Sequence, residues 1–198
     1  MIVHYERQSD LFFGLFKKSD YFLCEDCNAY KTISSYGVKS VEFVLAQAND
    51  EGIVEKLVFI EAKKSLREDD TESIAQKFMD SLQLACAIHI GAHKKKSSLP
   101  ENIRTFFEKG GKIEFLLVIK DCENSSIGRL KRIGEMIKKY LYKEFRIWKF
   151  EVKAINEDIA VSSNLVVREG AIESVQWSSI LVCSDTKKVG TMKTLTEG

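Results

Sequence analysis

The stretch SVEFVLAQANDEGIVEKLVFIEAK, residues 40–63, decides how this chain is read. Two β-rich apolar runs, residues 40–47 and 56–63, flank a segment carrying Asn49, Asp50 and Gly52, which is the composition of a β-hairpin. A turn centred on Glu51 and Gly52 pairs the two strands so that Glu42 stands directly opposite Glu61. Opposed residues share a face, with Cβ atoms ~5 Å apart. Alternation puts Glu61 and Lys63 on the face of Leu57 and Phe59, and turns Ile60 and Ala62 to the other. Two carboxylates and an ammonium therefore converge at one end of the hairpin.

Such a cluster opposes folding, because like charges facing each other on a sheet repel and the flanking side chains are apolar. A divalent cation reverses the balance. Carboxylate oxygens suit Mg²⁺ or Mn²⁺, and the backbone carbonyl of Ala62 offers a further ligand from the same strand. Lys63 then has the chemistry to orient or deprotonate an attacking water, or to stabilise charge growing on a phosphate. The alternative for Glu61 and Lys63 is an exposed strand-end ion pair, which contributes little to stability.

Downstream, Ile74, Phe78, Leu82, Ala85 and Ile88 recur at helical spacing over residues 69–91, with Asp69 and Glu72 placed as a capping box. A short helix is expected over residues 101–109, stopped by Gly110 and Gly111, and residues 113–119 (IEFLLVI) form a continuous apolar run of the kind that fills a central strand. Residues 127–142 are amphipathic. Strands are expected near residues 147–155 and 172–183. Upstream, residues 5–18 read as a short helix with Leu11, Phe12, Leu15 and Phe16 on one side, and residues 21–33 as extended. The order predicts an α/β fold with a mixed sheet flanked by helices. With one proline and no low-complexity linker, residues 1–198 read as a single domain, its core at about 1–155 and a C-terminal β extension at about 156–198.

On residues 38–90 the chain resembles the PD-(D/E)XK nuclease superfamily. The residues that carry the likeness are Val41-Glu42-Phe43-Val44, then Glu61-Ala62-Lys63, then Gln76 thirteen residues beyond Lys63. The usual Asp after Pro is here Glu42 after Val41. The resemblance implies a restriction-endonuclease-like αβββαβ core and Mg²⁺-dependent hydrolysis of DNA phosphodiesters. It implies Glu42 and Glu61 as metal ligands, Gln76 as a helper from the following helix, and Gln83 along the same groove. Members often add a helical acidic residue near the N-terminus, for which Glu6 is the first choice and Glu25 the second. A homodimer that cuts two strands is a further expectation. The alternative is a catalytically inactive nuclease-fold module that binds nucleic acid or a partner protein.

The net charge of +1 provides no global attraction for a polyanion, so contacts must come from local patches. Lys64, the run His93-Lys94-Lys95-Lys96, and Arg129, Lys131, Arg132, Lys138, Lys139 and Lys143 are the basic residues available. A solvated helix face is the ordinary reading of the last six. Cys24-x-x-Cys27 with His89 and His93 offers the ligand types of a zinc site, but the long separation argues against a structural zinc. Trp148, Trp177, Tyr140 and Phe150 are expected to pack a core or an interface rather than stack on bases. Five cysteines without a framework suit reduced thiols, and residues 1–10 lack a signal-peptide pattern, so a cytoplasmic protein is expected. No run approaches ~18 apolar residues, so no membrane partner is expected. Motifs for nucleotide binding, zinc proteolysis and serine hydrolysis are absent.

Overall fold

The computed structural model describes residues 1–93, 97–123, 126–146, 148–168 and 181–184, the last four by backbone alone. The chain opens with an antiparallel hairpin, β1 (Ile2–Glu6) and β2 (Leu11–Phe16), followed by the two-residue strand β3 (Tyr21–Phe22). A 3₁₀ turn at Cys24–Asp26 leads into α1 (Asn28–Ile33). Then come β4 (Phe43–Ala48), β5 (Val54–Lys63), α2 (Thr71–His89), α3 (Glu101–Lys109), β6 (Lys112–Ile119), α4 (Ile127–Glu144), β7 (Phe150–Asn156), α5 (Glu157–Ser162) and β8 (Leu181–Ser184).

The central sheet is mixed, in the order β3-β4-β5-β6-β7. Its first two pairings are antiparallel, and β5-β6 and β6-β7 are parallel. Parallel neighbours need crossovers, and the helices supply them: α2 and α3 link β5 to β6, and α4 links β6 to β7. Because β5 and β6 are covered on both faces, they read as unbroken apolar runs instead of alternating ones. One face, with Val44, Leu57, Phe59, Phe115 and Leu117, packs against Ile74, Phe78, Leu82, Ile103, Ile133 and Ile137 of the helices. The other, with Phe43, Leu45, Val58, Ile60 and Val118, packs against Ile2, Leu11 and Phe13 of the small sheet and Ala160 of α5.

Phe43 faces Ile60 and Val44 faces Phe59, the expected register, but the turn does not set it alone: beside the turn Ala48 pairs with Val54, and a register shift between Gln47 and Ala48 brings the rest of the strands into the expected pairing. The helices near residues 69–91, 101–109 and 127–142 and the strands near 113–119 and 147–155 also form where the sequence places them. Phe150 is buried, with Trp148 and Tyr140 half-buried against the same core, whereas Trp177 lies outside the described residues.

Four expectations are corrected. Residues 5–18 form no helix; they belong to the β1–β2 hairpin, which buries Leu11, Phe13 and Phe16 and turns Phe12 and Leu15 outward. Leu11, Phe12, Leu15 and Phe16 fit a helical stripe equally well on paper, but the four-residue turn at Arg7 to Asp10, with Asp10 at φ 55°, breaks that stripe. Gly14 also belongs to the strand reading. It has φ 152°, and a Cβ there would lie 2.9 Å from the Ile2 carbonyl oxygen. Residues 21–33 are extended only at Tyr21–Phe22 and then turn helical. The capping box does not form: Asp70 precedes α2, and its carboxylate accepts from the Arg67 amide at 3.1 Å. Within residues 156–198, α5 is helical. Of the strand expected at 172–183, only the part within Leu181–Ser184 is described; this β8 lies parallel to β1 in a three-stranded sheet, β2-β1-β8.

Among the described residues, no helix is long and apolar enough to cross a membrane.

Candidate active site

Continuing the β4–β5 register one residue past Phe43 and Ile60 sets Glu42 across from Glu61, on the sheet face that α2 covers. Glu61 is 0% exposed, so it is not half of a surface ion pair. Its Oε1 accepts from Lys77 Nζ at 2.7 Å and forms an ion pair with Lys63 Nζ at 2.8 Å. Lys77 also lies 3.7 Å from Glu42 Oε1, so one ammonium spans both carboxylates. The Glu61 Oε2 atom is buried and has no hydrogen-bond partner.

The Glu42 side chain is 10% exposed. Burial first, then the neighbouring Glu61 carboxylate and a hydrogen bond with Glu6, push its carboxyl up to about 10, against the pull of Lys77. Glu42 therefore keeps a proton at neutral pH in the absence of a cation. Lys77 moves the other way to the usual buried lysine: burial lowers its pKa, but Glu61 and Glu42 outweigh that and raise it, so it stays charged.

The segment that leads into Glu42 and β4 is fixed by α2. The Val41 amide donates to Ser81 Oγ at 2.9 Å, and the Lys39 amide donates to Asp80 Oδ2 at 2.8 Å. Ser81→Ala orphans the buried Val41 N–H and is expected to cost about 1–3 kcal/mol in urea unfolding. An unchanged midpoint would mean that this bond does not hold the strand to the helix.

Glu6 reaches the cluster from the end of β1, a strand and not the expected helix. Its Oε1 accepts from the Gln8 amide at 2.8 Å, and its Oε2 is 3.8 Å from Nε2 of the buried His4. His4 and Glu6 are two residues apart on one strand and so share a face. A sequence signal for His4 existed in this alternation, but it is invisible while residues 5–18 are read as a helix. Nδ1 of His4 lies 2.9 Å from the Tyr21 hydroxyl, and its Nε2 is buried with no hydrogen-bond partner. His4, Glu6 and Glu42 each present one ligand atom within 4.8 Å of the others, the one such group among the described residues.

Gln76 does not join the site. It points to the exposed side of α2 and donates to Asp80 Oδ1 at 2.6 Å; Gln83, on the same stripe, is exposed too. The α2 residue that does arrive is Lys77, on the stripe of Ile74 and Ser81. Glu25 stands in the 3₁₀ turn and accepts from Ser40 Oγ at 3.1 Å.

Of the basic residues, Arg129 donates to the Leu66 carbonyl at 2.7 Å and thereby ties α4 to the loop that leaves β5. Lys64 turns to the opposite face from Lys63, where its charge helps hold the Asp10 carboxyl below its usual range, after Lys120 and Tyr5. Arg132 lies on the exposed side of α4, and Lys94, Lys95 and Lys96 lie outside the described residues. Cys24 is buried, and burial raises its thiol pKa; Cys27 Sγ caps α1 by accepting from the Tyr30 amide at 3.3 Å. His89 stacks on Phe107 with ring centroids 5.2 Å apart.

Comparison of the chain with protein-family models, curated sequences and solved structures finds no match.

Proposed function

We propose that the chain is a metal-dependent nuclease that hydrolyses DNA phosphodiester bonds at Glu42, Glu61 and Lys63, on a restriction-endonuclease-like core. The observation that carries this reading is the gathering of buried Glu61 and largely covered Glu42 around one ammonium, with Lys63 at the rim. A chain that keeps two facing carboxylates in its core loses stability unless something cationic repays it. The succession β3, α1, β4, β5, α2, α3, β6 supports the βββαβ part of the core once α1 and α3 are taken as insertions, although a β-hairpin takes the place of its first helix.

The donor set fits Mg²⁺ or Mn²⁺: two carboxylates, one with a buried oxygen that lacks a partner, and the Ala62 carbonyl beside them. Such a cation would supply a more acidic water and charge to offset that of a phosphate. Lys63, 26% exposed at the end of β5, then orients the attacking water or donates to a phosphoryl oxygen. Lys77, 23% exposed and also bonded to Glu61, holds that carboxylate in place and replaces Gln76 as the contribution from the helix. Lys64, Arg132 and the 93–96 run are proposed backbone contacts to DNA. Arg129 is spent in part on Leu66.

Lys77 also favours a second reading. An ammonium already shared by both carboxylates can replace a cation, as expected in a catalytically inactive module that grips nucleic acid or a partner protein. Calorimetric titration with Mn²⁺ and Mg²⁺ of the wild type and Glu61→Gln, beside cleavage of plasmid, single-stranded and branched DNA, separates the two. The nuclease reading expects cation binding weakened by the substitution and cleavage that stops without metal. Intact DNA at saturating Mn²⁺ with every substrate would favour the module.

A further inference from the structure

We propose that His4 Nε2, Glu6 and Glu42 form a binding site for a borderline divalent transition cation of the Mn²⁺ and Zn²⁺ class, in preference to Mg²⁺. This inference deepens the nuclease reading by naming the metal class and two ligands from β1, outside the Glu42, Glu61 and Ala62 set.

The geometry is close to a ligand shell already. His4 Nε2 and Glu6 Oε2 are 3.8 Å apart, and these atoms and a Glu42 oxygen lie within 4.8 Å of one another. Metal–ligand bonds of about 2.1 Å hold neighbouring ligand atoms ~3–4 Å apart, so small side-chain movements close the shell. His4 is fully buried, and a ring nitrogen without a partner at that depth is costly unless something binds it. The nearest polar atom to Nε2, Glu6 Oε2 at 3.8 Å, is beyond hydrogen-bond distance; the ring is packed by Phe13, Tyr21 and Phe43, and its other nitrogen meets the Tyr21 hydroxyl. That contact orients the ring as outer-sphere partners of metal-bound histidines do: in the tautomer that binds a cation, Nδ1–H donates to the hydroxyl oxygen and the Nε2 lone pair faces the carboxylates. Glu42, slightly exposed, is the side from which an ion enters.

The imidazole decides the class. Mg²⁺ prefers all-oxygen shells and gives up water reluctantly, whereas a neutral imidazole with carboxylates suits transition cations, which bind such sites in Irving–Williams order.

The test is electron spin echo spectroscopy of Mn²⁺ bound to the full chain, with calorimetric titration of Mn²⁺, Zn²⁺ and Mg²⁺ into the wild type, His4→Gln and Glu61→Gln. The expected result is ¹⁴N modulation from one imidazole in the wild type. In His4→Gln the modulation disappears, Mn²⁺ and Zn²⁺ affinity falls by at least ~10-fold, and Mg²⁺ affinity hardly changes. An echo without ¹⁴N modulation, or transition-metal affinities that survive His4→Gln, overturns the proposal. Should His4→Gln fail to fold, the wild-type echo decides alone. Modulation retained in Glu61→Gln with no DNA cleaved by the wild type would uphold this site and remove the nuclease reading. Mg²⁺-supported cleavage with no ¹⁴N modulation would do the reverse.

Discussion

Lys63→Ala is expected, under the proposed nuclease function, to leave the fold intact and to lower the rate of metal-dependent DNA cleavage by about 10²–10⁴-fold, the contribution of one positioned proton donor or charge stabiliser. The side chain ends β5, is partly exposed, and fills no core position. Its ion pair with Glu61 is one of two, since Lys77 holds the same oxygen at 2.7 Å. Removing Lys63 therefore leaves Glu61 paired, and the thermal midpoint should shift by little. Circular dichroism melts with single-turnover cleavage at saturating Mn²⁺ read both quantities. An unchanged rate would exclude Lys63 from the chemistry; a large loss of stability would show that it is chiefly structural.

Glu42→Gln carries the second large effect, and it is an effect on stability without metal. Glu42 is pushed up to about 10, so between the ordinary carboxylate range and that value the folded chain holds a proton that the unfolded chain has released. Stability follows the protons bound by the unfolded state minus those bound by the folded state, so it falls as pH rises through this window. The slope is about 1.4 kcal/mol per pH unit for one proton. Chelator-treated wild type should thus lose stability steadily from pH 5 to pH 8 in urea unfolding. Glu42→Gln, an isostere that never ionises, should remove most of that slope and be the more stable protein at pH 8. The groups facing Glu42 set the sign: Glu61 and Glu6 favour the proton, and Lys77 opposes it. A flat wild-type profile would mean that Lys77 keeps Glu42 ionised. A variant less stable than the wild type at pH 8 would mean that the carboxylate contributes more to the fold than its burial costs.

The two predictions probe the same conflict from opposite sides. Both turn on Glu42 and Glu61 lying together with the Lys63 and Lys77 ammonium groups beside them. His4 and Glu6 extend that arrangement onto the small sheet. A single polar cluster thus joins β1, β5, α2 and the residue that precedes β4.

The β4–β5 hairpin was determined by sequence alone. Side chains alternate with period two, so the shared face of Glu61 and Lys63 follows from counting; the pairing that brings Glu42 to Glu61 also depends on a register shift between Gln47 and Ala48 that the sequence pattern does not contain. The amphipathic helices and the IEFLLVI strand were legible for the same reason, that local period and burial agree. Residues 5–18 were not, because Leu11, Phe12, Leu15 and Phe16 satisfy a helical stripe as well as a strand, and only packing against Phe43 and Ile60 on the central sheet selects the strand. With that choice went His4, whose place beside Glu6 depends on a two-residue repeat. Gln76 and Lys77 differ by ~100° around α2. The stripe of Ile74 and Ser81 already pointed to Lys77, and the docking of α2 on the sheet brought its ammonium onto Glu61 and Glu42. Local periodicity specifies which face a residue shares, whereas which faces meet is decided by the burial of whole surfaces against one another, a property of the assembled chain.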